Sequence, residues 1–322
     1  VTQDIMQALS PVKIGTRGSP LALAQAHELR DRLRQAHDFL KEDQVEIIVM
    51  STKGDRILDR PLTEIGGKGL FTEEIEDALL GGEIDLAVHS SKDMPTKLPD
   101  GLELACYLER EDVRDAFISL KAASPRDLPP GAVIGSASLR RQAQTLALND
   151  HIRVESFRGN VQSRLKKLEQ GVVDATYLAM AGLNRLGLSA DERIHPLPTE
   201  DFLPAVAQGA ITIEIAQNNT RARALLEPLN HPETALCVAA ERAMLTVLDG
   251  SCRTPIAGLA RIHQGRLSLK GQLLSPDGQE NYQDEISGPM TEAQELGHKL
   301  GERLRNRAGE EFFKKLAEIQ SN

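Results

Sequence analysis

Val12-Lys13-Ile14-Gly15-Thr16-Arg17-Gly18-Ser19-Pro20-Leu21-Ala22-Leu23-Ala24-Gln25 reads as a strand, a short turn and a capped helix. Residues 12–16 have the character of a first strand. Ser19 supplies an oxygen for the open N–H groups of a helix start, and Pro20 stands at the first helical position, where a missing N–H is harmless. Ala22, Ala26, Leu29 and Leu33 recur on one helical face, so the helix has one side to bury. Residues 45–51 predict a second strand. Thr72, with Glu73 and Glu74 in the first turn and Gly81-Gly82 past the end, bounds a second helix. Residues 85–89 predict a third, buried strand. The order β-α-β-α-β is that of a doubly wound α/β sheet.

Downstream the pattern restarts. Residues 133–135, 152–157 and 175–179 predict strands, with helices over 139–148 and 161–170, the latter stopped by Gly171. Two similar α/β lobes joined near residues 109–114 follow from this. The last part differs: a helix opened by Pro232 runs to about Leu248, and strands follow at 256–261, 267–274 and near 282–287. Ser275-Pro276-Asp277-Gly278 supplies a turn, and a helix over 291–308 completes a small α+β domain. Paired α/β lobes place a ligand in the cleft between them, at the carboxyl ends of strands. The arginines of the second lobe and Arg17 of the first are expected to face each other there.

Composition narrows the class. The 322 residues carry a net charge of -9, which argues against nucleic acid as the main partner. Trp is absent and aromatics make up 3%, so base-stacking platforms are scarce. No apolar run is long enough to cross a bilayer, and residues 1–20 lack the basic start and apolar core of a signal peptide. Three cysteines, an odd count, fit a reducing compartment better than a disulfide framework. Neither cysteine nor histidine spacing fits a zinc site, and His195 before Pro196 reads as solvated.

Within this acidic chain, arginines crowd the starts of two helices: Ser138-Leu139-Arg140-Arg141, then Arg158-Gly159-Asn160 and Arg164. A cation beside the positive end of a helix dipole is unfavourable unless an anion sits between them. Guanidinium groups at such turns therefore point to an anionic ligand, against the alternative of exposed helix faces. Ala87-Val88-His89-Ser90-Ser91-Lys92-Asp93-Met94-Pro95 leaves a buried strand, and Asp93 at its end is either a carboxylate for a cation or proton or an ordinary cap. Gly66-Gly67-Lys68-Gly69 lacks the spacing of a phosphate loop and reads as a lid hinge, with Phe71 beyond it as a packing residue. Cys106 and Cys237 lie in apolar runs, whereas Cys252 sits in the polar loop Gly250-Ser251-Cys252-Arg253-Thr254-Pro255. Arg253 beside it favours the thiolate, so Cys252 is either a nucleophile or covalent anchor, or an inert loop thiol.

These same stretches resemble the porphobilinogen deaminase (hydroxymethylbilane synthase) family. The resemblance covers residues 13–25, 66–71, 87–95, 135–142, 157–164, 179–186, 203–210 and 250–258, in family order. It implies two α/β lobes resembling type II periplasmic binding proteins and a small C-terminal α+β domain with the cysteine loop. Its domains would be 1–108 with a returning segment at 209–226, then 114–203, then 231–322. It implies head-to-tail condensation of four porphobilinogen molecules with loss of ammonia, on a dipyrromethane primer held by a thioether to Cys252. The family's catalytic carboxylate falls on Asp93. Cofactor binding falls on Ser90, Lys92, Ser138, Arg140, Arg141 and Arg158, and substrate binding on Arg17, Ser19, Lys68, Phe71, Arg164, Arg185 and Gln208.

Each pyrrole carries acetate and propionate, so porphobilinogen and the growing linear oligopyrrole are the anions this resemblance supplies. Such chemistry implies no metal, the charge and hydropathy imply no nucleic acid and no membrane, and the family suggests a monomer. Ser91 stands where many members have methionine, a change expected to alter packing only. The cysteine loop and Phe312-Phe313 are similar to plant-type members, so the expected compartment is bacterial cytoplasm or plastid stroma after loss of a transit peptide. The rival reading is a two-lobed carboxylate-binding protein that needs neither Asp93 nor Cys252.

Overall fold

In a computed structural model of the chain, the described residues are 10–56, 72–248 and 254–321. They fall into two compact units. The first takes 10–56, 72–110 and 210–234, and the second takes 111–209 with the rest of the chain from 235 on.

The first unit is a five-stranded sheet with helices on both faces. β1 (Val12–Arg17), β2 (Val45–Met50) and β3 (Leu86–Ser90) are parallel, and β4 (Leu102–Tyr107) closes one edge. Helix α1 (Pro20–Ala36) begins where Ser19 Oγ accepts from the Ala22 N–H at 3.3 Å. Its Ala26, Leu29 and Leu33 bury against Val12, Ile14 and Val88. On the other face α2 (Glu73–Leu80) packs Ile75, Ala78 and Leu79 over Ala87 and Leu102. Burying one leucine in this way contributes about 1.5–3 kcal/mol.

A purely parallel sheet is not what forms. The order is β2-β1-β3-β10-β4, and β10 (Ile211–Ala216), arriving from far downstream, runs antiparallel to both neighbours. Its Ile211, Ile213 and Ile215 join the core beneath α1, as do Ala222, Leu225 and Leu226 of α6 (Thr220–Leu226).

The second unit holds the other five-stranded sheet, ordered β7-β6-β8-β5-β9. β6 (Val133–Gly135) is parallel to β7 (Arg153–Glu155) and β8 (Ala175–Ala179). Here too an inserted strand, β5 (Asp115–Ser119), runs antiparallel, to β8 and to β9 (Ile194–Pro196). The intervening helices are α3 (Leu139–Leu148), α4 (Val161–Glu169) and α5 (Met180–Arg185). Tyr177 and Phe202 stack at 5.2 Å in the core between sheet and helices.

The same unit contains α7 (Pro232–Val247), the antiparallel strands β11 (Ile256–His263), β12 (Arg266–Leu274) and β13 (Asn281–Pro289), and α8 (Ala293–Ser321). α8 breaks at Gly309, next to the expected helix end at 308. The β12–β13 turn lies against α3: a Cβ on Gly278, whose φ is +74°, would meet the Ala143 carbonyl at 2.5 Å. Glu241 of α7, fully buried, accepts the backbone N–H of Ala207 at 2.6 Å and of Ala260 at 2.7 Å.

Candidate functional site

In the first unit the register Ile14↔Leu86 and Gly15↔Ala87 puts the carboxyl ends of β1 and β3 at one sheet edge. Half-buried Arg17 and Ser19 follow β1 there. Ser90 ends β3, and its hydroxyl accepts from Gln25 Nε2 at 2.9 Å, tying the strand end to α1. Ser91 to Asp93 then form one tight turn. The Ser91 N–H is held by the Ala210 carbonyl at 3.0 Å, and Met94 N–H closes the turn on Ser91 O at 3.3 Å. Ser91 is buried, Lys92 half-buried and Asp93 exposed. The sequence therefore delivers a carboxylate to solvent on a short segment pinned to two strands. A group fixed in this way loses little entropy when it meets a ligand.

Behind this turn lies a feature that sequence reasoning missed. His89 is buried with its Nε2 3.0 Å from Glu214 Oε2, and Glu214 is fully enclosed. Glu76 of α2 is buried close by, and burial first, then the neighbouring Glu214, raise its carboxyl above the ordinary value. The available signal was Glu214 alternating among Ile211, Ile213 and Ile215, an acidic residue in a run otherwise suited to a buried strand.

In the second unit β6, β7 and β8 are parallel, so Ser138, Arg158 and α5 all follow strand ends at one edge. Ser138 caps α3, accepting from the Arg141 N–H at 3.4 Å, and Asn160 caps α4, accepting from the Ser163 N–H at 2.9 Å. Arg140 and Arg141 do not lie on an exposed helix face: their side chains are 6% and 9% exposed. Both guanidinium groups turn to the fully buried Asp115. The anion demanded by two cations at a helix start is, in this structure, a carboxylate of the chain itself.

Burial alone would raise the Asp115 carboxyl, but the charges of Arg140 and Arg141 outweigh it and hold it well below the usual range. Arg140 also lies over the Phe202 ring at 5.8 Å and Arg141 over Tyr177 at 5.9 Å. Arg164 is placed differently. Its Nε donates to the Gly159 carbonyl at 2.9 Å, and burial, then the repulsion of Arg141 and Arg158, bring it down to about 10. Three like charges held this close favour a negative group among them. Half-buried Arg185 ends α5, and buried Gln208 donates to Val113 O at 2.9 Å.

Lys68, Phe71 and Cys252 lie outside the described residues. Cys106 and Cys237 are buried, and burial pushes the Cys106 thiol up to about 12 against a small opposing effect of Arg32, so it carries no thiolate. His195 is half-buried on β9 rather than solvated. Among the described residues no group of three or more His, Cys, Asp and Glu side chains could hold a metal ion. No described helix is long and apolar enough to cross a membrane.

Residues 12–224 match the family model described as porphobilinogen deaminase, dipyromethane cofactor binding domain, and residues 235–306 match the porphobilinogen deaminase C-terminal domain. A porphobilinogen deaminase of Paracoccus denitrificans is 57% identical over 304 residues, covering 94% of this chain and 96% of that protein. One from Nitrobacter winogradskyi is 55% identical over 300 residues, covering 93% of this chain and 94% of its own length. Among solved structures, the periplasmic aliphatic sulphonate binding protein SsuA of Escherichia coli aligns at 13% identity with a TM-score of 0.42, over 76% of this chain and 72% of that one.

Proposed function

The chain belongs to the porphobilinogen deaminase family, and from that membership we propose a division of labour for its residues. It is a transferase of tetrapyrrole biosynthesis that joins four porphobilinogen units head to tail on a dipyrromethane primer. The observation that carries this is the family match through both parts of the chain, at 57% identity with one relative.

The residues at the second-unit edge fit a polycarboxylate primer. Burial first, then the charges of Arg141 and Arg158, depress Arg164, and a carboxylate among these groups relieves the repulsion between them. When bound, the dipyrromethane supplies the free pyrrole α-carbon from which the chain is extended. Ser138, Arg140, Arg141 and Arg158 hold its acidic side chains, together with Ser90 and Lys92. Cys252 anchors it through a thioether. Arg17, Ser19, Lys68, Phe71, Arg164, Arg185 and Gln208 receive porphobilinogen and the growing oligopyrrole.

Asp93 is the catalytic carboxylate. Porphobilinogen loses ammonia from its aminomethyl group, leaving positive charge spread over the pyrrole. The exposed Asp93 carboxylate accepts the pyrrole N–H and stabilises that charge. The proton displaced from the α-carbon when the new carbon–carbon bond forms would pass to solvent, to which Asp93 is exposed. The tight turn at Ser91 to Asp93 keeps the carboxylate in place through the cycle.

The same reading takes the enzyme as a monomer of the bacterial cytoplasm, in keeping with its bacterial relatives, with the plastid stroma as the alternative. It divides the chain into three domains, 1–108 with 209–226, 114–203 and 231–322. The return of 210–234 to the first compact unit supports the discontinuity. Intact-protein mass spectrometry followed by digestion tests the anchor: a dipyrrole adduct maps to Cys252, and an unmodified thiol in active enzyme refutes it. Asp93→Ala keeps the fold by circular dichroism and abolishes porphobilinogen consumption; near-normal turnover removes Asp93 from the mechanism.

A further inference from the structure

Asp115 begins β5 and is fully buried. Its backbone is pinned on both sides, through the register Asp115↔Ala179 to β8 and through its carbonyl, which accepts the Leu197 N–H at 2.8 Å. Its Oδ1 accepts Arg141 Nε at 2.9 Å, Arg141 Nη2 at 2.6 Å and Arg140 Nη2 at 3.2 Å, while Oδ2 accepts Arg140 Nη1 at 2.8 Å. A guanidinium has five N–H groups. Arg140 commits a third bond to Leu203 O at 2.9 Å, and Arg141 commits its third to Tyr177 O at 3.0 Å. Each therefore keeps two N–H groups outside these bonds, and one of these, Arg140 Nε, is buried without a partner.

Two positive charges and one negative leave the triad one positive charge. An isolated pair of adjacent guanidinium groups would repel, splay and take up two carboxylates or water. Held on one carboxylate and over the Phe202 and Tyr177 rings, the pair has a single arrangement.

We propose that Asp115 is a positioning residue for the acidic side chains of the primer and substrate: it clamps Arg140 and Arg141 so that the pair presents one net charge, and hence takes one pyrrole carboxylate. This rests on the reading above that these arginines hold the primer's carboxylates, and extends it to those of porphobilinogen. The remaining negative groups of the polyanion fall to Arg158 and Arg164, which Asp115 does not neutralise.

The full-length enzyme, expressed so that it assembles its own primer, tests this. Asp115→Asn is nearly isosteric and removes the charge. The fraction of chains carrying the dipyrromethane adduct falls about tenfold by intact mass, the size expected for losing a hydrogen bond to a charged group. In chains that carry the adduct, KM for porphobilinogen rises about tenfold while kcat stays near the parental value. Asp115→Glu keeps the charge but displaces it by a methylene; adduct returns to the parental fraction while KM remains about threefold raised. A purely structural role lowers the melting temperature of both variants without separating KM from kcat.

Parental adduct and KM in Asp115→Asn overturn the proposal. Should Asp115→Asn fail to fold, Asp115→Glu decides: a parental KM overturns the proposal, and a raised KM with full adduct upholds it. Arg140→Leu and Arg141→Leu separate this idea from its premise. If both keep parental adduct and KM, the arginines do not hold ligand and the premise falls with the proposal. If both lose them while Asp115→Asn does not, only the role of Asp115 falls.

Discussion

Replacing Glu241 by glutamine turns one carboxylate oxygen into an NH2 group and leaves the volume almost unchanged. In the parent, both oxygens accept short bonds from backbone N–H groups, Ala207 at 2.6 Å and Ala260 at 2.7 Å, with the side chain fully buried. Hydrogen bonds to a charged group contribute about 1.5–3 kcal/mol each, against about 0.5–1.5 for a neutral one. The glutamine oxygen keeps one bond in the weaker, neutral form. Its NH2 group turns a donor toward the other N–H, which is left unpaired. The loss is therefore about 3 kcal/mol. In a unit of this size that lowers Tm by roughly 6–12 °C. The position adds to the cost, because Ala207 has φ +61° and a non-glycine residue there relies on its surroundings to stay in the left-handed region. The chain has no tryptophan, so far-UV circular dichroism through urea and thermal unfolding is the suitable assay. Glu241→Leu, which removes both acceptors, loses more than Glu241→Gln. Coincident unfolding curves for Glu241→Gln and the parent would refute the account, because the two short bonds would then carry no stability.

Two glycines should lose unequal amounts of stability on replacement by alanine. At Gly278 the new Cβ meets helix backbone, the Ala143 carbonyl at 2.5 Å and the Ala147 nitrogen at 2.6 Å, at φ +74°; strain and overpacking together cost about 3 kcal/mol, read as a lowered Tm and faster hydrogen exchange in α3. At Gly15 the Cβ meets only the tip of Ile84, at 2.3 Å, which can rotate, so Gly15→Ala costs about 1 kcal/mol; equal losses at the two sites would contradict the contrast. Glu76 makes a pH prediction. Burial raises its carboxyl above 4.5, so the folded state holds the proton more tightly than the unfolded one. Its contribution is present below 4.5 and is lost as pH rises through the raised value. Glu76→Gln therefore gains stability relative to the parent as pH rises from 4.5 toward neutrality, and urea midpoints with a constant gap across that range would count against it.

Much of the scaffold was readable because its signals act over a few residues. Ser19, Ser138 and Asn160 each cap a helix within three residues of themselves, and the apolar spacing of Ala26, Leu29 and Leu33 describes the face that is buried. The inserted strands β5 and β10 were not among the strands expected from the sequence, nor was their antiparallel direction. β5 and β10 lie where the chain passes between units, and an apolar run states that a strand is buried without stating which way it runs. The C-terminal helix was foreseen to about 308, where Gly309 breaks it, but its continuation to Ser321 was not.

For the site, the sequence by itself pointed to the kind of chemistry: arginines at helix starts, a carboxylate after a buried strand, and a family pattern in order along the chain. Tertiary structure decided what the charges do with one another. Arg140 and Arg141 asked for an anion, and nothing in their own segment distinguishes a ligand from a protein carboxylate. Asp115, 25 residues before Arg140, answers them only because β5 enters the sheet antiparallel beside β8. Arg164, from a helix start of the same kind, meets cations instead. Capping and propensity are local and survive in the sequence, whereas the partner of a buried charge is set by which strands become neighbours.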